Sequence, residues 1–359
     1  MKITIVGGGN IGTQFAVHCA EKNNDVIIYS SKFEKISKKL LIVNEKKEVI
    51  HKGIINKATN NDEEAFKDAD LIFITLPAFM MNEIADKIYN FIRPGVKIAI
   101  IPGSGGGECA FKKCMKKGAI IFGLQRVPSV ARLVETGKIV CATGYREKLY
   151  VASLPSKYAK ECSEIVSDIF DMPCDLLPNY LNLTLTPSNQ ILHTTRLNII
   201  FKNYKKGIFY NKLPLFYEDW NDDTSELLFK CDDEVQKICK AVREFDLTNV
   251  KSLKVHYESD TPNKLTSKIQ SIKGFKGLKT PALEENGMFI PDLNSRYFTA
   301  DFNYGLLILI QISNLLGIET LNMKSVWDWY EGIMIFQKKF SYEEYGIMTY
   351  DDFVEFYGI

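Results

Sequence analysis

Charge of one sign is what this 359-residue chain most plainly lacks: 45 Lys and Arg stand against 44 Asp and Glu, a formal net charge of +1. No global field therefore recruits nucleic acid or an anionic membrane, and a small molecule is the expected partner. Long hydrophobic runs are missing too. The most apolar segment, Gly305 to Leu316, is interrupted by Gln311, Ser313 and Asn314; it is too short to span a bilayer and reads as a buried helix. The opening MKITIVGGG reads as strand and turn without a small-residue cleavage site, so a cytoplasmic protein is expected. Eight cysteines occur with no CxxC pair and no histidine at ligand spacing, which argues against a disulfide framework and against bound metal. Histidine is scarce, at four, and no internal repeat stands out. What remains, 46% hydrophobic and 25% charged residues, is an ordinary globular composition long enough for two cores.

The first motif present is a glycine-rich turn. An apolar strand, Ile3 to Val6, runs into Gly7-Gly8-Gly9-Asn10-Ile11-Gly12 and then a periodic helix to about Lys22. Gly7 permits the tight turn, Gly9 lets a pyrophosphate approach the backbone, and Gly12 lets the helix pack closely, leaving the amides around Asn10 and Ile11 to an anion. A second strand, Val26 to Tyr29, ends in Ser30-Ser31-Lys32 with Lys35 one turn on, where an NAD site usually offers an acidic residue. Hydroxyls and ammonium groups suit a 2′-phosphate, so NADP is the preferred cofactor and NAD the alternative; the competing reading makes Lys32 and Lys35 solvated surface charges.

Strand and helix keep alternating. Leu71 to Leu76 reads as a buried strand delivering Leu76 and Pro77 to the cofactor set; Met81 to Phe91 reads as a helix, and Val96 to Ile101 as a strand. That strand enters a second glycine-rich loop, Pro102 to Gly107, where open α/β sheets bind ligands. Ala119 to Gly123 places Gln125 at a strand end facing a ligand. Lys138 to Thr143 and Leu149 to Ser153 read as two strands joined through Gly144 to Glu147, followed by a helix from Ser156 to Phe170. The fold expected is an N-terminal α/β, doubly wound Rossmann-type sheet over residues 1–178, then a mainly α-helical domain over 179–359.

In the second half, Thr186 and Pro187 read as the cap and first turn of a helix that sets Asn189 and His193 on one face, with Arg196 a turn later. Residues 209–220 read as irregular, 226–245 as a long helix and 273–291 as a loop. The loop delivers Arg296 and then Thr299, the expected N-cap of the apolar helix, with Asp301 in its first turn and Gly317 as its stop. On position alone, a capping Asp and a surface Arg is the simpler reading of that pair. Ser325, Ser341 and Thr349 each precede an acid by three residues and read as further helix starts. Their aromatic neighbours read as packing on the second core, with a homodimer contact as the alternative.

Pro187-Ser188-Asn189 with His193, and Arg296-Tyr297-Phe298-Thr299 with Asp301, resemble the octopine/nopaline (opine) dehydrogenase family; the resemblance extends to the N-terminal GxGxxG and the Gly123-Leu124-Gln125 strand end. It implies an NAD(P)H-dependent reductive condensation of an amino acid with an α-keto acid through an imine. By the family pattern His193 corresponds to the catalytic acid/base, Asp301 to its carboxylate partner and Arg296 to the residue recognising a substrate carboxylate. Asn189 and Gln125 add polar contacts. Such chemistry suits a histidine titrating near neutrality and a guanidinium with paired donors. Two alternatives share the plan. One is a ketopantoate-reductase-like or glycerol-3-phosphate-dehydrogenase-like reductase using a lysine such as Lys202 or Lys205; the other is a dinucleotide sensor without catalysis.

Overall fold

The computed structural model describes residues 1–335 and 338–359. The chain forms two compact units: Met1–Thr184 with Glu355–Ile359, and Leu185–Val354.

The first unit is built on the strands β1 (Lys2–Val6), β2 (Asp25–Tyr29), β3 (Lys39–Val43), β4 (Val49–Ile54), β5 (Lys57–Thr59), β6 (Leu71–Ile74), β7 (Lys97–Ile100), β8 (Ile120–Leu124), β9 (Val130–Glu135), β10 (Ile139–Thr143), β11 (Leu149–Leu154) and β12 (Cys174–Leu176). Eight of them form one sheet in the order β12-β11-β8-β7-β6-β1-β2-β5. Pairing is parallel except between β8 and β11. Every residue of β6 and of β8 is buried, as a parallel sheet covered on both faces requires. The reversal of direction about β1 and β6 is the switch point at which such sheets bind ligands, beyond the carboxyl ends of the strands.

The other four strands form a second sheet, β4-β3-β10-β9, lying against the helix Asn10–Glu21. It was not legible in the sequence. β4 reads VIHKGI and buries only Gly53, so it lacks the hydrophobic alternation that marks a half-buried strand. The strands expected at 138–143 and 149–153 are present, but they belong to different sheets.

The chain returns to this unit at its end. The Tyr357 hydroxyl donates to Glu108 Oε1 at 2.7 Å, as does that of Thr184 at 2.8 Å, and Asn179 Nδ2 donates to the Tyr357 carbonyl at 2.6 Å. Glu108 is wholly buried, and that burial raises its carboxyl pKa. The two donated hydrogen bonds act the other way and favour the ionised form.

The second unit is mainly helical: Asn189–Phe201, Asp222–Ala241, Pro262–Ser271, Leu307–Leu315 and Leu321–Ile333 are its longer helices. Asn221 and Thr261 cap two of them through Thr224 N and Lys264 N, each satisfying an orphan amide. The segment expected to be a loop at 273–291 contains a hairpin, Ala282–Glu285 with Met288–Pro291. Its turn, Asn286-Gly287, has positive φ at both residues, 53° and 77°. That is the two-residue turn matching the twist of paired strands; the flanking glycines and prolines masked it.

Helix starts differ from expectation at three places. The helix bearing His193 begins after Ser188 rather than at Pro187, because Ser188 has non-helical backbone and takes the N-cap position. Thr299 ends a short helix, Arg296–Thr299, instead of capping the next; its hydroxyl donates to Ser295 O. Ser325 lies inside a helix that starts at Leu321. Thr349 accepts the expected amide bond from Asp352, three residues on, whereas Ser341 accepts from Glu343, two residues on. The Gly317 stop holds, with Ile318 N bonded to Ser313 O at 2.8 Å and φ of +66° at the glycine, a left-handed helix terminus. Among the described residues no helix is long and apolar enough to cross a membrane.

Asp232, fully buried on helix Asp222–Ala241, accepts a bond from Leu253 N at 2.7 Å. Burial pushes its carboxyl up to about 7. A carboxyl raised by folding leaves stability intact below its unfolded pKa and removes it as pH climbs toward the folded value. Asp232→Asn keeps an acceptor for Leu253 and cannot ionise. Its unfolding free energy relative to the parent should rise by about 2 kcal/mol between pH 5 and pH 8, measured by denaturant titration at both; a flat difference would contradict the assignment.

Candidate active site

In the first unit the glycine turn is held by its neighbours. Gly7 has φ of +107° and its amide donates to Tyr29 O at 2.9 Å. A Cβ at Gly12 would stand 1.8 Å from the Gly7 carbonyl, so the helix packs flush on the turn only without a side chain there. Gly9 is the N-cap, carries no side-chain cap and would meet nothing within 4 Å if given a Cβ. Helix amides therefore open onto space an anion fits, which suits a pyrophosphate. Asn10 turns its side chain elsewhere, Oδ1 accepting from Leu133 N at 2.8 Å. A Cβ on Gly7 would lie 3.2 Å from Leu76, and Pro77 beyond it is exposed. At the end of β2, Ser30 is half-buried, its Oγ accepting from Lys32 N, while Ser31, Lys32 and Lys35 are exposed. Gln125 is half-buried just past β8, its amide on Tyr150 O at 3.0 Å.

The second unit holds a polar cluster inside an aromatic shell. His193, 3% exposed, projects from helix Asn189–Phe201. Its Nδ1 lies 2.7 Å from Asp301 Oδ2, and its Nε2 lies 2.6 Å from the Tyr217 hydroxyl. Because an ionised carboxylate only accepts, Nδ1 carries the proton, Nε2 is the acceptor, and Tyr217 donates to it. Burial pushes the Tyr217 phenol well above its usual range, so it stays a donor. Tyr217 stacks on Phe275 with centroids 4.0 Å apart, and Tyr297 lies 4.6 Å from the imidazole. Arg296 is exposed, its guanidinium 6.0 Å from the Tyr297 ring centroid. Asn189 is half-buried one turn before His193. Lys202 and Lys205 are exposed beyond the carboxyl end of the helix, whereas His193 is enclosed.

Two local devices bring histidine and aspartate together. Between Asp301 and Leu307 the helix widens into a π turn, with Leu306 N bonded to Asp301 O at 2.9 Å, a deviation common at functional sites. Within it Gly305 approaches the neighbouring helix so closely that a Cβ would stand 2.7 Å from Gln190 Cβ. Arg196 places the other partner of the imidazole. At 2% exposure, it donates to the carbonyls of Leu215, Phe216 and Asp219, to Thr224 Oγ1 and to Asn221 Oδ1. It therefore ties down the loop that carries Tyr217. Of the residues singled out in the sequence the structure brings His193 and Asp301 together and leaves Arg296 exposed beside Tyr297; Tyr217 and the anchoring role of Arg196 were not singled out.

Residues 176–334 match the model of the NAD/NADP octopine/nopaline dehydrogenase alpha-helical domain, and residues 2–111 that of the NAD-dependent glycerol-3-phosphate dehydrogenase N-terminus. The chain is 27% identical over 294 residues to opine dehydrogenase of Haliotis discus hannai, covering 77% of this chain and 72% of the relative. It is 25% identical over 294 residues to tauropine dehydrogenase of Arabella iricolor, covering 77% and 74%. Its fold superposes on octopine dehydrogenase solved with NADH and L-arginine at a TM-score of 0.85 and 19% identity, covering 100% of this chain and 98% of that one.

Arg196→Met removes all of these donors and strands buried carbonyls, so it should lower the unfolding free energy by more than about 3 kcal/mol in denaturant titration. Arg196→Lys should restore little of it, since one ammonium cannot reproduce a planar fork of donors.

Proposed function

We propose that the chain works as the opine dehydrogenases it resembles do, condensing an amino acid with an α-keto acid and reducing the resulting imine to a secondary amine. The observation that carries this reading is the enclosed contact of 2.7 Å between His193 Nδ1 and Asp301 Oδ2. The amine adds to the keto carbon, water leaves as the carbinolamine oxygen is protonated, and the C=N bond gains a hydride at carbon and a proton at nitrogen. A bound nicotinamide dinucleotide supplies that hydride.

The chain's own groups do the rest. His193 Nε2 is the acid/base that exchanges a proton with the carbonyl or carbinolamine oxygen, in competition with the Tyr217 hydroxyl. Asp301 fixes the tautomer and stabilises the imidazolium. Arg296, exposed and with unencumbered geometry along the Tyr297 ring, grips the keto-acid carboxylate with two parallel donors. Asn189 and Gln125 contribute amide contacts. Gly7, Gly9, Asn10, Ile11 and Gly12 hold the pyrophosphate through backbone amides, with Leu76 and Pro77 flanking it. Ser30, Ser31 and Lys32 favour the 2′-phosphate of NADP over NAD, supported by the absence of an acidic residue among Tyr29 to Lys32. The eight unpaired cysteines suit a reducing, cytoplasmic setting.

The deciding experiment follows NADPH and NADH oxidation with pyruvate, 2-oxoglutarate or 2-oxobutyrate, each with and without a pool of amino acids. Oxidation requiring both reactants is the expected result. Oxidation with a keto acid alone would indicate a simple ketoreductase, and binding without oxidation a sensor. In the same assay His193→Ala should cut turnover at least about 100-fold, with NADPH affinity within twofold of the parent. Lys32→Ala should weaken NADPH binding and leave NADH unchanged; equal losses for both would refute the 2′-phosphate contact.

A further inference from the structure

Two of the four histidines lie in the first unit, far along the chain from the His193 cluster. His18 and Glu21 stand three residues apart in the last turn of helix Asn10–Glu21 and share a face. His51 comes from β4, which is pressed onto that helix: a Cβ at Gly53 would stand 2.9 Å from the Val17 carbonyl. His51 Nδ1 is 2.7 Å from Glu21 Oε2, and the two imidazole centroids are 4.6 Å apart. One donor atom from each of the three residues lies within 4.8 Å of the other two, and among the described residues no other such trio is present.

The surroundings orient this trio. His18 is buried, its Nε2 is 3.0 Å from the Tyr145 hydroxyl, and Gln14 Nε2 reaches both that hydroxyl, at 3.4 Å, and Ser129 Oγ, at 2.7 Å. Outer-shell bonds of this kind set ring orientation in metal sites. Glu21 and His51 keep 37% and 33% of their side chains exposed, which leaves a path from solvent. Lys22, which follows Glu21 in the chain, is engaged with Asp171. The carboxyl end of the helix carries partial negative charge, which favours a cation there.

We propose that His18, Glu21 and His51 form a site for a divalent transition-metal ion of the zinc type, clipping the phosphate-binding helix to β4. Two imidazoles and one carboxylate select zinc, cobalt or nickel over magnesium and calcium. Bonds of about 2.0–2.2 Å in tetrahedral geometry put donors roughly 3.4 Å apart, so modest side-chain rotations would close the site, leaving water as the fourth ligand. The spacing is invisible to a motif search because His51 enters from a different element, 30 residues beyond Glu21.

The test uses tag-free, chelator-stripped full-length protein titrated with Co²⁺ and Zn²⁺. Co²⁺ should produce the visible absorption of a low-symmetry tetrahedral or five-coordinate site, Zn²⁺ should displace it, and Zn²⁺ should raise the thermal midpoint where Mg²⁺ does not. His51→Ala and Glu21→Gln, both at partly exposed positions, should each weaken Co²⁺ binding by at least about 10-fold, whereas His256→Ala should bind as the parent does. Absence of a Co²⁺ signal, equal stabilisation by Mg²⁺, or unchanged binding in both variants would overturn the proposal.

Discussion

A polar side chain buried in a helical core must find every partner within the protein, and among those that helix Asn189–Phe201 buries are two ionisable ones one turn apart, His193 and Arg196. Much of the second unit follows from satisfying that pair. The imidazole needs an acceptor on one nitrogen and a donor on the other, and obtains them from Asp301 and Tyr217. The guanidinium needs several acceptors and obtains them by folding residues 215–224 around itself. The same irregular segment thus serves both groups: Arg196 holds the backbone, and the backbone holds Tyr217 over the imidazole. A buried network of this kind is stabilising only when complete.

Regular structure had to yield for this to happen. The sequence predicts one regular helix running from a Thr299 cap to the Gly317 stop, and the hydrophobicity of 305–316 supports one. Instead the segment breaks after Thr299 and opens a π turn from Phe302 to Leu306. A π turn inserts one residue relative to the α repeat and so rotates everything before it. With Gly305 giving up its side chain to let Gln190 approach, Asp301 meets an imidazole that ordinary helix packing would keep farther off.

Legibility followed pattern strength. The alternating strands and helices of the first unit were readable because their buried runs, such as LIFI at β6, have no polar interruptions, and the glycine turn was readable because each of its positions has a separate steric reason. The four-stranded sheet was not, since β4 and β9 are mostly exposed and carry charges. The hairpin at 282–291 had the strongest local signal available, Asn-Gly, yet composition outweighed it. At the site, His193 stood out through the rarity of histidine, and Arg296 with Asp301 through family resemblance. Tyr217 could not: among 17 tyrosines nothing in the local sequence marks the one that faces a histidine 24 positions away.

The paired bonds on Glu108 bear on how the chain is assembled. Thr184, where the chain leaves the first unit, and Tyr357, after it has come back, donate to the same carboxyl oxygen. The intervening 185–354 is thereby an insertion whose entry and exit are anchored at a single atom. During synthesis Glu108 gains its second hydroxyl only once Tyr357 has been made, after the whole of the segment between. The two ends of the insertion are thus tied at one buried carboxyl, and the contact that closes the first unit spans 249 positions of chain.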